Sequence, residues 1–250
     1  MTRKTDPFAI LLEAPPYRPL FLFDLPLGLV AGARYATSAV PSWALKELHP
    51  SDRGFAEAFP IHQAAEFVAG RLALCAALKG LRYPPSEIGA LPQSPRGAPV
   101  PPRGFVASVS HKAGIALALA GVDHGHGVGV DIESLVPERT GLASRILGDD
   151  EVIDLSGVAA RDTWTEVLAR FSIKEAAYKA MSEYIGDTPI GFRQVVVRLP
   201  KGLRQSDGFQ IADVVVEPGI LAVPLDIQAL VAVFGTHLVA ASAVQTVKAN

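Results

Sequence analysis

Hydrophobic positions recur at a helical spacing in two long segments of the chain. Ala56–Leu81 carries an apolar stripe with this spacing, and Gly80 together with the Pro84–Pro85 pair ends it. Thr163–Tyr184 carries a second such stripe, so we predict two long helices. Pro84–Pro102 holds seven of the 20 prolines and is predicted to cross the surface as a loop.

Short runs rich in Val, Ile and Phe predict the strands. The last run, Ile227–Val244, is as long as a membrane span, but Gly235–Thr236 divides it and it contains Gln228 and His237. We therefore predict two buried strands there rather than a spanning helix. The predicted strands are Leu20–Phe23, Leu27–Val30, Phe105–Ser110, Ile115–Val122, Gly127–Glu133, Gln194–Leu199, Phe209–Val216 and the pair within Leu225–Val244.

This succession of elements predicts an α+β fold built from two similar α+β halves. Each half has one long helix and several strands, although no literal sequence repeat is visible. We expect an N-terminal half over residues 1–124 and a C-terminal half over residues 125–250, with the active site between them. A chain of 250 residues is long enough to bury a core without disulfides or structural metal.

Composition narrows the class of protein. The 23 Lys and Arg residues against 25 Asp and Glu residues leave a net charge of −2, which argues against a protein-wide basic surface for nucleic acid. The single cysteine, Cys75, excludes an internal disulfide and a cysteine-based zinc site. The N-terminus is too short and too broken by proline for a signal peptide. We therefore expect a cytoplasmic protein that binds neither nucleic acid nor membrane.

Asp131 and Glu133 end the predicted strand Gly127–Glu133 and form the first candidate site. Residues two apart on a strand face the same side, so these carboxylates converge. Their repulsion favours a cation between them, and hard oxygen ligands suit Mg²⁺. The alternative is a pair of solvated carboxylates at a strand edge, because Asp-x-Glu is a common sequence.

The segment from Phe171 to Lys179 forms the second candidate site. Glu175 and Lys179 lie on one helix face, and Lys174 lies about 100° around the helix from Glu175. The two lysines could hold phosphate, and Glu175 could hold a metal ion or a proton. Alternatively, Ser172 and Glu175 form a capping box at a helix start, and Glu175 with Lys179 forms an ordinary ion pair.

Two further elements offer groups that could meet phosphate oxygens. A predicted strand ends at Ser110 and His111, which supply a hydroxyl and an imidazole. A hydrolytic Ser–His pair is disfavoured, because adjacent strand residues point to opposite faces and the chain has no Gly-x-Ser-x-Gly sequence. Arg71 is a strong cation in an apolar helical stretch, where it either extends its charged end to solvent or closes an anion pocket.

Taken in order, three of these segments resemble the signature motifs of the 4′-phosphopantetheinyl transferases. The element Glu66–Arg71 and the stretch Arg96–Gly104 are similar to the subgroup of enterobactin-synthase component D enzymes, within the surfactin-type family. The resemblance covers roughly Leu48–Met181 and implies two α+β halves related by pseudo-twofold symmetry. The three motifs are Ser-Val-Ser-His (108–111), Gly-Val-Asp-Ile-Glu (129–133) and Phe-Ser-Ile-Lys-Glu-Ala-Ala-Tyr-Lys (171–179).

The resemblance implies a holo-[acyl-carrier-protein] synthase activity. The family moves the phosphopantetheine arm of coenzyme A onto a serine of an apo acyl or peptidyl carrier protein. By this resemblance, Asp131, Glu133 and Glu175 would bind Mg²⁺ together with the pyrophosphate. Glu175 would also be the base for the carrier serine, and Asp131, Glu175 and Lys179 would be the catalytic residues.

The resemblance also implies which groups contact coenzyme A. Lys174 and Lys179 would hold its phosphates, and Arg71, Ser110 and His111 would contact the same molecule, with His111 near the phosphates. The carrier pathway, whether for siderophore, polyketide, peptide or fatty-acid synthesis, stays open at this point. A single chain with two halves is expected to be a monomer.

Two other functions stay open on the residues alone. The carboxylates of Asp131 and Glu133 would also serve a metal-dependent phosphohydrolase acting on a nucleotide or on coenzyme A. A non-catalytic protein that binds carrier proteins would need neither carboxylate. If the protein binds a carrier protein, whether as a transferase or without catalysis, we expect a local basic patch around Arg139 and Arg145, beside the apolar Leu142 and Ile146.

Overall fold

Two antiparallel sheets, each packed against one long helix, make up the fold. The computed structural model describes residues 6–136, 138, 140–186, 188–200, 203 and 208–247. The chain divides into two compact units, Met1–His124 and Gly125–Asn250. Helices and strands of both units belong to separate segments of the chain, so the predicted α+β class is confirmed.

The first unit contains a four-stranded antiparallel sheet in the order β1-β2-β4-β3. Its longest helix, α4, packs on the sheet and contributes more buried side chains to the core than any other element of this unit. The elements are α1 (Pro7–Glu13), β1 (Leu20–Leu25), β2 (Gly28–Arg34), α2 (Ser42–Lys46), α3 (Pro50–Glu57), α4 (Ile61–Gly80), a 3-10 turn (Pro85–Glu87), β3 (Phe105–Lys112) and β4 (Ile115–Val122).

The second unit contains a five-stranded antiparallel sheet in the order β5-β9-β8-β7-β6. Helix α7 packs on this sheet and is nearly as buried as α4. The elements are β5 (Gly127–Ser134), α5 (Leu142–Ile146), α6 (Asp149–Leu155), α7 (Ala160–Met181), a 3-10 turn (Phe192–Gln194), β6 (Val195–Arg198), β7 (Gln210–Val216), β8 (Leu225–Phe234) and β9 (His237–Thr246).

The apolar run at the end of the chain forms a hairpin. Strands β8 and β9 pair from Leu225↔Thr246 to Phe234↔His237, and Gly235 makes the turn at φ 57°. The prediction of two strands joined near Gly235–Thr236 is therefore confirmed. Among the described residues, no helix combines the length and the apolar character that crossing a bilayer requires.

Three short helices, α1, α5 and α6, were not predicted from the hydrophobic pattern. Each has only five to seven residues, too few to show a helical period. The sequence does mark the start of α1, where Asp6 accepts a hydrogen bond from the Phe8 amide (2.9 Å) and Pro7 is the first helical residue. Capping chemistry therefore marks α1 where periodicity does not.

Candidate functional site

Two glycines allow strand β5 to lie directly on helix α7. A Cβ atom at Gly129 would overlap the carbonyl oxygen of Ala176, and one at Gly127 would overlap that of Ala180. Two residues of a strand span about the same length as four residues of a helix. Asp131, two residues after Gly129, therefore lies opposite the helix residue four positions before Ala176, which is Ser172. The Gly-x-Gly-x-Asp spacing thus brings the Asp131 carboxylate to the helix surface one turn before Ala176, at Ser172.

Both carboxylate oxygens of Asp131 are held by side chains of α7. Lys179 Nζ donates to Oδ1 at 2.8 Å, and Ser172 Oγ donates to Oδ2 at 2.8 Å. Lys179 Nζ also donates to the carbonyl oxygen of Val130 at 3.0 Å. Asp131 is buried, whereas the Lys179 side chain keeps 30% of its surface exposed. We name Asp131, Ser172 and Lys179 the carboxylate cluster; its ammonium group stays accessible to a solute.

Ser172 lies in the interior of an unbroken helix. Helix α7 runs from Ala160 to Met181, and Ser172 is completely buried in it. The interpretation of Ser172 and Glu175 as a capping box at a helix start is therefore wrong, because no helix starts there. Ser172 was not among the predicted site residues, although it lies two helical turns before Lys179 and so shares its face.

Glu133 and Glu175 were predicted to join Asp131 around one ion. Glu133 is buried on the same side of β5 as Asp131, and Glu175 is half-buried on α7. Within the described part of the chain, no three His, Cys, Asp or Glu side chains lie close enough together to hold a metal ion. The predicted three-acid group is thus not assembled here, and Asp131 has Lys179 and Ser172 as its partners instead.

The strand carboxylates nevertheless fit a divalent cation of the kind predicted. Asp131 and Glu133 are buried hard oxygen donors on one face of one strand. Mg²⁺ usually takes only one or two protein carboxylates and fills its other positions with water and phosphate oxygens. The pair Asp131 and Glu133 meets that requirement without a third acid.

The half-buried Tyr178 lies within range of the negative charge of Glu175 on α7. Burial raises the pKa of Tyr178 to about 12, and the negative charge of Glu175 adds to the increase. The Tyr178 hydroxyl donates to the carbonyl oxygen of Ile190 at 2.9 Å. Tyr178 therefore stays a neutral hydrogen-bond donor at ordinary pH.

Lys174 has a different environment from Lys179. It is completely buried, and its ammonium group donates to Glu151 Oε2 (2.6 Å), to the Ile146 carbonyl (2.5 Å) and to the Phe192 carbonyl (3.0 Å). Burial lowers the pKa of Lys174, and the hydrogen bond to Glu151 opposes that change. An ammonium group has three N–H donors, so none is left for a phosphate. This arrangement contradicts the phosphate contact predicted for Lys174.

Glu151, which the sequence reasoning missed, completes this second cluster. Its Oε2 accepts from the Gly148 amide at 2.8 Å, and its Oε1 accepts from the Val197 amide at 3.0 Å. The Lys174–Glu151 pair thereby ties α7 to α6 and β6. We name these two residues the sealed pair, because neither side chain is exposed.

Arg71 and His111 line one pocket of the first unit. The pocket has a volume of about 230 Å³, and Glu66, Phe67 and Pro99 also line it. Arg71 is only 3% exposed, and its guanidinium lies 4.3 Å from the centre of the Phe67 ring. Among the described residues, Nε and Nη2 of Arg71 find no hydrogen-bond partner. Burial lowers the pKa of Arg71 to about 10, and the Asp52 carboxylate opposes this effect.

His111 lies at the rim of this pocket, next to Glu66. The distance from His111 Nδ1 to Glu66 Oε1 is 3.6 Å, and Tyr35 Oη donates to the same oxygen at 3.4 Å. Ser110 lies on the opposite face of β3 and is buried, while the His111 side chain is 46% exposed. The structure therefore brings Arg71 and His111 together at one pocket but does not place Ser110 with them.

Two of the residues expected to form a surface for a carrier protein, Arg145 and Ile146, differ in exposure. Ile146 is buried, packing with Leu147, Leu155 and Val167, so it offers no apolar contact to a partner. Arg145 is exposed, and Arg139 lies outside the described residues. The predicted contribution of Ile146 to such a surface is wrong.

Solved structures of holo-(acyl-carrier-protein) synthases resemble about half of the chain. The Thermotoga maritima enzyme is 21% identical; the likeness covers 49% of this chain and 64% of that one, with a TM-score of 0.37. The Bacillus anthracis str. Ames enzyme, solved in complex with CoA (3′,5′-ADP), is 22% identical, with 48% and 96% covered and a TM-score of 0.37. No curated protein matches the chain.

Two family models match successive parts of the chain. Residues 52–121 match the 4′-phosphopantetheinyl transferase N-terminal domain. Residues 127–214 match the 4′-phosphopantetheinyl transferase superfamily, and this segment includes both the carboxylate cluster and the sealed pair. Together the two matches take in well over half of the chain, which therefore belongs to the 4′-phosphopantetheinyl transferase superfamily.

Proposed function

We propose that the protein transfers the 4′-phosphopantetheine arm of coenzyme A to a serine hydroxyl of an apo acyl or peptidyl carrier protein. The observation that carries the proposal is the carboxylate cluster, in which β5 and α7 bring Asp131, Ser172 and Lys179 together. A buried carboxylate beside an accessible ammonium is suited to phosphoryl transfer, where catalysis consists mostly of positioning and of neutralising charge.

In this proposal Asp131 and Glu133 hold Mg²⁺. When bound, the ion supplies positive charge to the pyrophosphate of coenzyme A. Lys179 stabilises the same phosphates through its partly exposed ammonium group. Glu175, four residues before Lys179 on α7, accepts the proton of the carrier serine, directly or through a water molecule.

The bonds made and broken follow from these roles. The serine oxygen attacks the phosphorus that bears the pantetheine group, and its proton goes to Glu175. The bond from that phosphorus to the bridging oxygen breaks, and adenosine 3′,5′-bisphosphate leaves with the electron pair. The products are the holo carrier protein and the bisphosphate.

Arg71 and His111 bind coenzyme A in this proposal. The guanidinium of Arg71 is buried, and two of its nitrogen atoms have no hydrogen-bond partner in the described part of the chain; such a group is costly unless an anion satisfies it. A phosphate of coenzyme A is that anion, and His111 at the pocket rim adds a second contact. The element Glu66–Arg71, which supplies this buried guanidinium, supports a place in the subgroup of enterobactin-synthase component D enzymes.

The test is the modification of carrier proteins. The purified chain is mixed with coenzyme A, MgCl₂ and a panel of apo carrier proteins, and the carriers are weighed by mass spectrometry. We expect one carrier or more to gain the mass of one phosphopantetheine group, with no gain when coenzyme A is left out. A folded sample that modifies no carrier would refute the proposal. Breakdown of coenzyme A without any carrier would show a phosphohydrolase instead.

A second measurement separates the enzyme from a binding protein. If the protein only binds carriers, carrier binding survives Asp131→Ala and Glu175→Ala, and Mg²⁺ changes nothing. We expect both variants to abolish the mass gain while the fold is kept. Magnesium removal with a chelator should have the same effect as the variants.

A further inference from the structure

Ser172 donates its hydrogen bond in an unusual direction for a serine within a helix. Such a hydroxyl normally faces solvent or donates to the backbone carbonyl one turn earlier. Here it is completely buried and donates to Asp131 Oδ2 at 2.8 Å, from a position 41 residues away in the chain. The contact is therefore tertiary, and it connects the helix with a carboxylate on β5.

The two hydrogen bonds to Asp131 differ in the kind of group that makes them. Oδ2 receives the neutral Ser172 hydroxyl, and Oδ1 receives the Lys179 ammonium at 2.8 Å. Lys179 stays partly exposed on a flexible stem, whereas Ser172 is fixed in the packed interior of α7. Ser172 is thus the rigid one of the two contacts, and Oδ1 is the oxygen that already takes a cationic partner.

We propose that Ser172 is a positioning residue for Asp131, an inference that rests on the proposed function. The hydroxyl holds Oδ2 and so sets the plane of the carboxylate. Oδ1 is then presented to the divalent cation that the transfer requires. Groups that orient a metal ligand through a hydrogen bond contribute strongly to metal affinity, and their loss costs about 10–100-fold.

Three variants separate positioning from packing. Ser172→Ala removes the hydroxyl, and Ser172→Cys keeps a side chain of similar shape with a weaker donor. Ser242→Ala is the matched control, because Ser242 is also completely buried in the second unit, on β9. Ser242 Oγ has no hydrogen-bond partner within the described residues, so its removal breaks no hydrogen bond there. Thermal unfolding is followed for all three variants.

The primary readout is Mn²⁺ binding to the full chain with coenzyme A present, followed by electron paramagnetic resonance. We expect Ser172→Ala to weaken Mn²⁺ binding about tenfold or more, and Ser172→Cys to lie between Ser172→Ala and the unaltered chain. Ser242→Ala should bind Mn²⁺ as the unaltered chain does. In the transfer assay, the Mg²⁺ concentration for half-maximal rate should rise by a similar factor. The KM for coenzyme A at saturating Mg²⁺ should change less than twofold.

The result that overturns the proposal is Mn²⁺ binding by Ser172→Ala as tight as that of the unaltered chain. An equal loss in Ser242→Ala, or no Mn²⁺ binding by the unaltered chain, would also overturn it. Should Ser172→Ala fail to fold, Ser172→Cys decides the question by the same comparison. The failure of the proposed function looks different, because Mn²⁺ would bind and respond to Ser172 while no carrier protein gains mass.

Discussion

Lys174 and Arg71 are both buried cations, and both were expected to contact coenzyme A, Lys174 at its phosphates, yet their surroundings differ. Lys174 donates to three protein acceptors, one of them a carboxylate. Arg71 stacks on Phe67, and two of its nitrogen atoms have no hydrogen-bond partner among the described residues. The two side chains are therefore similarly buried, but the donors of Lys174 are all used, whereas those of two Arg71 nitrogen atoms are not within the part of the chain that the structure describes. A buried cation whose donors are all used by the protein is structural, whereas one with unused donors at a pocket is prepared for an anion.

Removing Lys174 should give the largest effect, and it should be an effect on stability. Lys174→Met removes the ammonium that neutralises the buried Glu151 carboxylate and that donates to two carbonyl groups, so the free energy of unfolding should fall by about 3–5 kcal/mol. Urea unfolding measures this change. The KM for coenzyme A of the folded fraction should stay the same. A stable variant with a raised KM would instead restore the phosphate role for Lys174.

Asp131 is a third case, because both of its carboxylate oxygens accept hydrogen bonds from the protein, as Lys174 donates all of its own, yet we propose that Asp131 takes part in the reaction. Its partner Lys179 is partly exposed, so the carboxylate is not sealed as Glu151 is. Asp131→Asn should lower kcat by about 10²–10³-fold, because it removes charge that the transfer requires. The melting temperature should change little. Near-full activity of this variant would contradict the metal role of Asp131.

Removing Arg71 should give the smallest effect of the three, and it should be an effect on binding. Arg71→Met keeps the packing on Phe67 and removes a buried charge, two nitrogen atoms of which have no partner among the residues that the structure describes, so stability should be unchanged or slightly raised. The KM for coenzyme A should rise about tenfold, the value of one hydrogen bond to a charged group. A loss of stability with an unchanged KM would place Arg71 with the structural cations.

The carboxylate cluster was partly predictable from local spacing. Asp131 and Glu133 share one face of β5 because strand residues alternate, and the structure places both in the interior. Ser172 and Lys179 share a helix face because they are seven residues apart. Which strand residue meets which helix residue was not predictable, because it depends on how closely Gly127 and Gly129 let β5 approach α7.

That Ser110 and His111 face opposite sides of the sheet could be predicted from the sequence, because side chains alternate along a strand. Which of the two faces the pocket could not be predicted. Alternation places them on opposite faces of β3. Only the packing of α4 decides that the face of His111 carries the pocket with Glu66 and Arg71. Ser110 and His111 are neighbours in the motif, but only His111 lies on the face of β3 that forms the pocket with α4.

The amino-acid sequence alone determined the class of fold, the two long helices, the terminal hairpin and the family. These features follow from periodicity, turn residues and motif order, which are properties of neighbouring positions. The tertiary structure alone decided that Lys174 is buried with Glu151, that two Arg71 nitrogen atoms have no partner within the described ranges, and that Ser172 donates to Asp131. Each of these depends on which distant group supplies a hydrogen-bond partner, and local spacing along a chain carries no information about that.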